Sequence, residues 1–532
     1  LLHNHVLAYP DAVAEALPSL DEHARARVEA ILGDAAVSGT RDDEGATPEV
    51  LAGPPRGTNG KAMRVPEPPD WLVLPELPAV ALRDGGEALS PSAARALCGL
   101  LAVSKIAEPH AGIAEVRALC EPHDLAAFAW AVFRQWRAAH YPPKSGLAKT
   151  ALALLGDDSV VAGLAELFPS WAKGSSGRVR TGMDVLAALG TEGALRELHR
   201  LARKAKTKGF RRLAEQRLDD VARARGLSAE QLADRLVPDL GLDADARTTL
   251  DYGPRHVVVA FDAQFTPHLT DQDGRRLTRM PRPAATDDAE LAAAATKRFT
   301  ALKKEVLTVV KERTGALEVA MTAGRRWSEP DFRRLFVEHP LMWRLAQRLL
   351  WATFDERDAV VTTFRPAEDR TFADLDDKTV ELDAAATVGL AHPWHFAADR
   401  AEWATVFSDY EIIQPFPQVG RELLTLPDSD ADRDELTRFV GRATAGRKEW
   451  VLAARGWVFN DNNTGLSREW PGGRIVEIAF HGYSFHDPDA PDQLTGVRVV
   501  AAHGTGTGPA TFADLNPIAA SEVLRDLEYL VS

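Results

Sequence analysis

Residues 364–426 carry the densest run of structural signals in the chain. They read FRPAEDRTFADLDDKTVEL from Phe364, VGLAHPWHF from Val388, DRAEWATVF from Asp399 and DYEIIQPFPQVGRELLTL from Asp409. Short β-rich runs alternate here with an acidic turn, a short helical stretch and proline-containing exits. This alternation predicts an α+β domain with mainly antiparallel strands. The flanking runs at 256–262, 474–480 and 497–502 also read as strands, and residues 269–277 read as a hairpin with Asp-Gly in its turn. Residues 432–442 and 518–530 read as helices.

Upstream of this domain, residues 90–236 follow a helical pattern almost throughout. Two segments, beginning LALLGDD at Leu152 and LAALGTE at Leu186, are self-similar and lie 34 residues apart. A period of this size is typical of stacked two-helix repeats. The sequence therefore predicts an α-helical, HEAT-like repeat array, with an irregular helical bundle as the alternative.

These patterns predict an α+β multidomain protein with three parts. Residues 1–70 form a helical segment and a Pro/Gly-rich linker, residues 71–240 the α-helical repeat domain, and residues 251–532 the α+β domain. The first residues lack an initiator Met and begin within a helical pattern, so we expect a fragment of a longer protein.

Composition limits the possible classes of function. The chain has 532 residues, a net charge of −14, 45% hydrophobic residues and two cysteines. The negative charge disfavours broad binding to nucleic acid or to anionic membranes. The sequence has no run of about eighteen apolar residues, so no membrane-spanning helix is predicted. Cys98 and Cys120 form no CxxC pair, so we expect a reducing, cytoplasmic location and no zinc site.

The segment quoted first resembles the C-terminal domain of bacterial proteins related to the molybdate metabolism regulator (MolR-like). The resemblance is carried by Phe-Arg…Glu-Asp-Arg-Thr-Phe-x-Asp from Phe364, by Gly-Leu-x-His-Pro from Gly389 and by the Gln-Pro-Phe-Pro-Gln-x-Gly-Arg run ending at Arg421. It implies a C-terminal domain of unknown function preceded by helical repeats, and it lends no settled chemistry. The regulatory role suggested by the relative's name is an expectation from that name alone.

An acidic run, Glu368 to Asp377, is the first candidate for chemistry. Neighbouring carboxylates bind hard cations or share a proton. The run lacks the central Gly and the terminal Glu of a calcium loop, so a solvated turn between strands is the favoured interpretation. The histidines at 392, 395, 481, 486 and 503 show no helical H-E-x-x-H motif, and no metal site is predicted.

The Gln-Pro-Phe-Pro segment is a candidate ligand site. Ile412 and Ile413 predict a buried strand, and the prolines after them fix an edge that presents polar side chains. A rigid strand exit is the alternative. The predicted ligand-binding residues are Arg365, Gln414, Gln418 and Arg421. For an enzyme of unrecognised class, the catalytic candidates are Asp369, His392, Asp409 and Arg421.

Other motifs exclude several enzyme classes. The segment HGTGTGP from His503 resembles an element of β-ketoacyl synthases, but both cysteines lie far upstream, so we interpret it as a connection. There is no Rossmann fingerprint, P-loop, nucleophile elbow or kinase signature. No cofactor is therefore expected.

A basic segment interrupts the acidic background between Arg196 and Arg212. A solvated helix face is the first interpretation, and an acidic protein partner or nucleic acid are the alternatives. The absence of interleaved aromatic residues disfavours nucleic acid. The predicted partner-binding residues are Arg196, Arg200, Arg203, Lys204, Lys208 and Arg211.

The leading functional hypothesis is a cytoplasmic interaction or regulatory protein. Its helical repeats would bind a protein partner, and its C-terminal domain would bind a small ligand or peptide. The alternatives are an enzyme with its site in the C-terminal domain, and nucleic-acid binding through residues 196–212.

Overall fold

A computed structural model describes residues 45–57, 59–85, 87–143, 146–460, 462, 464–481, 491–502 and 510–532. The predicted helices of residues 1–39, His486 and the HGTGTGP segment lie outside these ranges. The chain divides into two compact units, Leu1–Val237 and Pro238–Ser532, which we call the helical unit and the mixed unit. None of the helices in the described part combines the length and apolar character needed to cross a bilayer.

The helical unit consists of consecutive helices joined by short turns. Most of these helices begin after a polar N-cap residue or with an early proline. At Ser90-Pro91 both occur, and Ser90 Oγ accepts the backbone N–H of Ala93. In its described ranges the helices are α1 (Pro91–Val103), α2 (Ala111–Leu119), α3 (Pro122–Ala138), α4 (Leu147–Leu155), α5 (Asp158–Gly174), α6 (Ser176–Leu189), α7 (Glu192–Lys204), α8 (Lys208–Ala224) and α9 (Ala229–Arg235).

Helices α4 to α8 pack in two alternating layers. Helix α6 contacts α4 and α8 in one layer, while α5 and α7 contact each other in the second. Residues 33 positions apart meet across successive turns: Thr191 bonds to the Asp158 carboxylate, and Arg217 Nε lies 2.9 Å from Asp184 Oδ1. The self-similar segments therefore occupy matching places in adjacent helix pairs. This is the packing that stacked pairs produce, and the specific HEAT-like type stays a prediction.

The described residues of the mixed unit form three antiparallel sheets, as the sequence predicted for its fold class. Their strand orders are β1-β2-β3-β4, β5-β9-β6-β7-β8 and β10-β14-β13-β12-β11. The strands are β1 (Arg247–Asp251), β2 (His256–Phe261), β3 (Pro267–Asp271), β4 (Arg276–Leu277), β5 (Arg326–Ser328), β6 (Trp351–Phe354), β7 (Val360–Pro366), β8 (Phe372–Ala373), β9 (Thr387–Leu390), β10 (Ala443–Ala445), β11 (Val458–Phe459), β12 (Gly465–Trp470), β13 (Arg474–Phe480) and β14 (Pro491–Ala501).

Two long helices accompany these sheets. Helix α10 (Ala289–Thr322) has 34 residues, and its N-cap Asp288 accepts from the backbone N–H of Glu290 and Leu291. The last helix, α16 (Pro517–Val531), buries apolar residues such as Leu527 against β-strand residues including Val476 and Ile478. The shorter helices are α11 (Glu329–Phe332), α12 (Pro340–Ala346), α13 (Arg400–Asp409), α14 (Asp428–Ala431) and α15 (Gly446–Ala454).

One turn type recurs along the mixed unit. An aspartate at the first position accepts the backbone N–H groups two and four residues later, and the fourth residue has a positive φ. The turn at Asp271, for example, has 3.0 Å and 2.8 Å bonds from Asp273 N and Arg275 N, with Gly274 at φ 78°. The same bonds are found in the turns that begin at Asp243, Asp262, Asp355 and Asp374.

Two local expectations are wrong. Residues 411–420 form turns and bends without a strand, and Ile413 is 63% exposed, because the αL residue Glu411 and the prolines break the extended run. The stretch 432–442, which was predicted to be a helix, contains a single 3-10 turn at Thr437–Phe439. Helix α14 ends before it, at Ala431.

Candidate functional site

Two residues predicted for the C-terminal site, His392 and Arg421, bond to the same carboxylate of α16, Glu522. Arg421 makes a bidentate pair with Glu522: Nε lies 2.7 Å from Oε1 and Nη2 lies 2.6 Å from Oε2. A second carboxylate, Glu318 of α10, lies 2.8 Å from Arg421 Nη1. The exposed fractions of Arg421 and Glu522 are 2% and 1%. Two-point bonding of this kind fixes both side chains in place.

His392 joins the same carboxylate from the end of β9. Its Nε2 lies 3.2 Å from Glu522 Oε1, and its Nδ1 accepts the backbone N–H of Trp394. Because Nδ1 accepts, the proton of a neutral ring lies on Nε2 and is donated to Glu522. Burial lowers the pKa of His392, although Glu522 acts against this effect. The imidazole is therefore a neutral hydrogen-bond donor.

Three further side chains extend the cluster along α16. One helical turn after Glu522, Asp526 accepts from Arg455 Nη1 at 2.6 Å and from Trp457 Nε1 at 2.7 Å. Arg468 donates to Thr322 Oγ1 at 2.6 Å and to a backbone carbonyl at 2.9 Å. We call the whole set the buried ion network. It comprises Glu318, His392, Arg421, Arg455, Arg468, Glu522 and Asp526.

Electrostatics within the network favour the charged forms of the main pair. Burial alone would raise the pKa of Glu522, but bonds from Arg421 and His392 outweigh it and hold that pKa well below its ordinary value. Burial also acts to lower the pKa of Arg421, and Glu522 and Glu318 reverse the effect and raise it. Arg468 has no direct carboxylate partner among the hydrogen bonds of the described chain, and burial lowers its pKa to about 10.

Little space remains inside the network. The gap between Glu318, Arg421 and Asp526 has a volume of about 10 Å³, which is close to the minimum for one water molecule. The gap is too small for a substrate. The carboxylates of the network are already hydrogen-bonded to other described residues.

Gln414 and Gln418 are bound internally as well. Gln418 is fully buried; its amide accepts from Leu350 N at 2.8 Å and donates to the carbonyls of Leu350 and Ala391 at 2.7 Å and 2.8 Å. Gln414 donates to Gln418 Oε1 at 3.0 Å and accepts from Val419 N at 2.9 Å. The Gln418 amide joins the residue before β6 to the residue after β9, and the Gln414 amide bonds to Gln418 and to the backbone beside it. Their ligand-binding role stays a prediction.

The other sequence candidates do not join this cluster by any bond in the described chain. Asp369 is exposed and accepts from the Thr371 hydroxyl and backbone N–H, and these bonds lower its pKa. Asp409 is exposed at the end of α13. Arg365 is paired with Asp377 at 2.6 Å and lies 3.8 Å from the centre of the Tyr410 ring. The four proposed catalytic residues therefore do not form one centre.

The acidic run is a set of turns. Asp374 heads one of the recurrent hairpin turns, and Asp369 shapes the preceding one. A search of the described residues finds no group of three His, Cys, Asp or Glu side chains placed to hold a metal ion. The favoured interpretation as a solvated turn fits this geometry.

The basic segment divides into paired and unpaired residues. Arg196 lies 3.6 Å from Glu192, and Arg200 makes a two-point pair with Glu197 at 2.6 Å, within one helix in both cases. Arg203 also has a partner. Five further cations are exposed and have no ion pair with any residue that the structure describes. We call them the basic elbow: Lys204, Lys206, Lys208, Arg211 and Arg212.

A cleft in the helical unit was not anticipated from the sequence. Its volume is about 970 Å³, and the extended segment 65–71, with Pro66, Pro68 and Pro69, forms one of its walls. Helix α1 contributes Arg95 and Cys98. Burial raises the pKa of the Cys98 thiol to about 12, which makes it unreactive. Proline density in the linker was the available signal, since prolines hold a chain extended.

Comparisons with known proteins point to relatives without known activity. Residues 274–457 match the family described as a domain of unknown function, DUF4132. The chain is 34% identical over 398 residues to the uncharacterized protein YehI of Escherichia coli. The matched region is 74% of this chain and 33% of YehI, so the chain spans about a third of that relative's length. No solved structure matches the chain.

The family match ends inside the buried ion network. Glu318, His392, Arg421 and Arg455 lie within residues 274–457, whereas Arg468, Glu522 and Asp526 lie beyond them. The mixed unit therefore needs side chains from both sides of that limit. Neither match carries the name of the molybdate regulator, and that relation stays a prediction. The chain is thus similar to the DUF4132 family over residues 274–457 and to an uncharacterised bacterial protein.

Proposed function

We propose that this chain is an interaction protein whose helical unit binds an acidic segment of a protein partner through the basic elbow. The single observation that carries the proposal is the charge pattern of the elbow. Five exposed cations lie within nine residues, and in the described chain none of them is neutralised, although the protein as a whole has a net charge of −14.

Three of these cations lie where they do not stabilise the fold, whereas Lys204 lies in the last turn of α7, where the helix dipole favours it. Lys208, Arg211 and Arg212 lie at the start of α8, where the helix dipole disfavours positive charge. The first turn of α8 has no acidic residue, and its N-cap Thr207 makes no side-chain capping bond. Stability would favour acidic side chains at these positions. An external anionic group supplies the missing negative charge and the missing hydrogen-bond acceptors.

An acidic polypeptide fits the surface better than nucleic acid does. The aromatic residue in the segment, Phe210, is half-buried against the core of the helical unit and offers no base-stacking surface. The overall negative charge repels a long polyanion, whereas a short acidic segment meets only the local cluster. The cytoplasmic and regulatory parts of the hypothesis depend on the cysteine content and on the MolR resemblance.

The test uses the whole chain and a labelled acidic peptide of about ten residues as the probe. We expect salt-sensitive binding that Lys208→Glu/Arg211→Glu/Arg212→Glu weakens at least about tenfold, because three phosphate- or carboxylate-binding cations are reversed. This variant places acids near a helix N-terminus, so its thermal stability should be equal or higher. Loss of binding without loss of stability separates recognition from misfolding.

A matched control carries the same charge change elsewhere in the helical unit. Lys105→Glu/Lys173→Glu/Arg180→Glu alters three exposed cations outside the elbow and should bind like the unmodified chain. Equal weakening by both variants would show a general charge effect and contradict the proposal. Stronger binding of a DNA oligonucleotide than of the peptide at the same salt concentration would assign the elbow to nucleic acid instead.

The enzyme hypothesis receives less support from the geometry. His392 and Arg421 do converge with Glu522, and their pKa values are shifted, which is a feature of active sites. However, each has internal partners and the adjoining gap has room for about one water molecule. A role in holding the mixed unit together accounts for every contact observed.

A further inference from the structure

Glu449, a buried acid of the mixed unit, has no hydrogen-bond partner among the described residues, unlike the acids of the buried ion network. Glu449 of α15 has an exposed fraction of 0%, and neither carboxylate oxygen has a hydrogen-bond partner in the structure as described. By contrast, Glu522 and Asp526 are each bonded by an arginine and a second donor. A buried carboxylate without such bonds is costly in its ionised form.

The surroundings of Glu449 supply negative charge rather than positive. Strand β10 pairs with β14 so that Thr444 lies opposite Asp492, and the buried Thr444 hydroxyl is also without a partner. The Asp492 carboxylate acts on Glu449 as a like charge.

The neighbouring charged groups are bonded elsewhere. On α15 itself, Lys448 Nζ donates to the carbonyl of Leu530 at 3.2 Å, and Arg447 has a partner of its own. From α16, Asp526 is bonded to Arg455 and Trp457. His481 Nδ1 lies 4.0 Å from Asp492 Oδ1. Among the described residues, no cation of α15 or of the elements packed against it donates a hydrogen bond to Glu449.

We propose that Glu449 is a proton-operated latch for α15: the uncharged carboxyl allows this helix to dock on β10 and α16, and ionisation loosens it. The docked helix excludes water from the side chain. When α15 opens, the side chain reaches water and ionises as an ordinary glutamate. The two states of the helix therefore bind a proton with different affinity, and pH shifts the balance between them.

The sign and size of the effect follow from the two proton affinities. Burial, with a smaller contribution from Asp492, raises the pKa of Glu449 from 4.5 to about 7 in the docked state. The opening constant of α15 is lowest below pH 4.5 and rises about tenfold per pH unit up to about pH 7, roughly 300-fold in all. Above that pH both states are ionised, and the opening constant levels off.

Hydrogen exchange of the backbone amides of residues 446–454, measured on the whole chain, tests the latch. After correction for the intrinsic pH dependence of exchange, protection should fall about tenfold per unit as pH rises towards about 7 and then stay constant. Glu449→Gln keeps the shape of the side chain and removes the titration, so its protection should not depend on pH. The proposal would be overturned if protection in the unmodified chain did not depend on pH. It would also be overturned if protection in the Gln variant changed with pH as steeply as in the unmodified chain.

Two more variants identify the titrating group. Asp492→Asn removes the neighbouring charge and should move the levelling-off point to lower pH, which tests the latch even if Glu449→Gln fails to fold. His481→Asn should keep the slope of the unmodified chain. If the slope disappears in that variant, the histidine is the titrating group and the assignment to Glu449 is wrong.

Discussion

At the scale of single residues, the buried acidic groups of the mixed unit differ in whether they are paired. Arg421 and Glu522 satisfy each other at two points, with Glu318 and His392 completing their bonds. Glu449 is as deeply buried and has none of this support. Because a lone buried charge costs far more than a paired one, we expect substitutions at these two sites to change stability in opposite directions.

Replacement of Arg421 by Met should be strongly destabilising. It leaves Glu522 ionised and buried without its main partner, and breaking a buried pair from one side costs about 3–5 kcal/mol. The measurement is the free energy of unfolding of the whole chain, obtained by urea titration from a signal that reports on the mixed unit. The double variant Arg421→Met/Glu522→Leu should recover most of the loss, because no buried charge is then left alone. A single variant within about 1 kcal/mol of the unmodified chain would contradict this role for the pair.

Replacement of Glu449 by Gln should stabilise the chain near neutral pH. The folded-state pKa is about 7 against an ordinary 4.5, so the carboxyl contributes stability that is complete below pH 4.5 and is lost as pH rises to about 7. At pH 8 the unmodified chain should therefore be roughly 2 to 3 kcal/mol less stable than at pH 4.5 from this group alone. Urea titrations of both chains at several pH values check this, and a variant less stable than the unmodified chain at pH 8 would contradict it.

At the scale of elements, the recurrent aspartate turn joins β2 to β3, β3 to β4 and β6 to β7, and it also occurs before β1 and after β8. Its fourth residue has a positive φ whether that residue is Gly274 or a residue with a side chain, such as Ala246 at φ 59° or Phe265 at φ 62°. The left-handed conformation costs a residue with a Cβ roughly 1 kcal/mol. The aspartate bonds and the strand pairing therefore hold these turns against their local preference.

Two opposite substitutions test this account. Gly274→Ala should lower the free energy of unfolding by about 1 kcal/mol, because a Cβ there meets no atom within 4 Å and only the backbone conformation is penalised. Ala246→Gly should change it by less than about 1 kcal/mol, because relief of the strained φ is offset by the loss of a buried methyl group and by the greater freedom of the unfolded chain. The measurement for both is urea titration. A neutral Gly274→Ala variant would show that the positive φ carries no cost in this turn.

At the scale of the whole molecule, the mixed unit does not end where the family match ends. Residues after 457 supply Glu522 and Asp526 to the network and most of the core around Trp470, Val476 and Leu527. A chain ending at residue 457 would lose most of that core, leave Arg455 without Asp526 and leave Arg421 with Glu318 as its one carboxylate partner among the described residues. We therefore expect the region that matches the family to depend on the strands and the helix that follow it.

Comparison of chain 238–457 with chain 238–532 tests this dependence. The longer chain should show a cooperative urea transition and resist limited proteolysis, because it retains the network and its core. The shorter chain should be digested rapidly and show no such transition. A cooperative transition of the shorter chain would show that the matched region is an independent folding unit and that α16 is an addition to it.

The local part of this architecture was readable from the sequence. The change from helical to alternating periodicity near residue 240, the Asp-Gly hairpin at 273–274 and the acidic turns around Asp374 all depend on residues within four positions of one another. Interactions at that range act within the segment that carries the pattern. The failures at Ile412–Ile413 and at 432–442 are also local: a few apolar residues suggested a regular element, and prolines, aspartates and an αL residue prevented it.

The contacts of the buried charges were decided only by tertiary structure. His392 and Arg421 were selected from sequence as candidates, but their common partner Glu522 lies 130 and 101 residues further along the chain. No short-range pattern marks Glu522 or Asp526 as anything other than charges on a terminal helix, and none marks Glu449 as unpaired. Whether a charge is exposed, paired or isolated depends on which elements pack against it. That packing is a property of the whole folded unit, and it determines the energetic role of each of these residues.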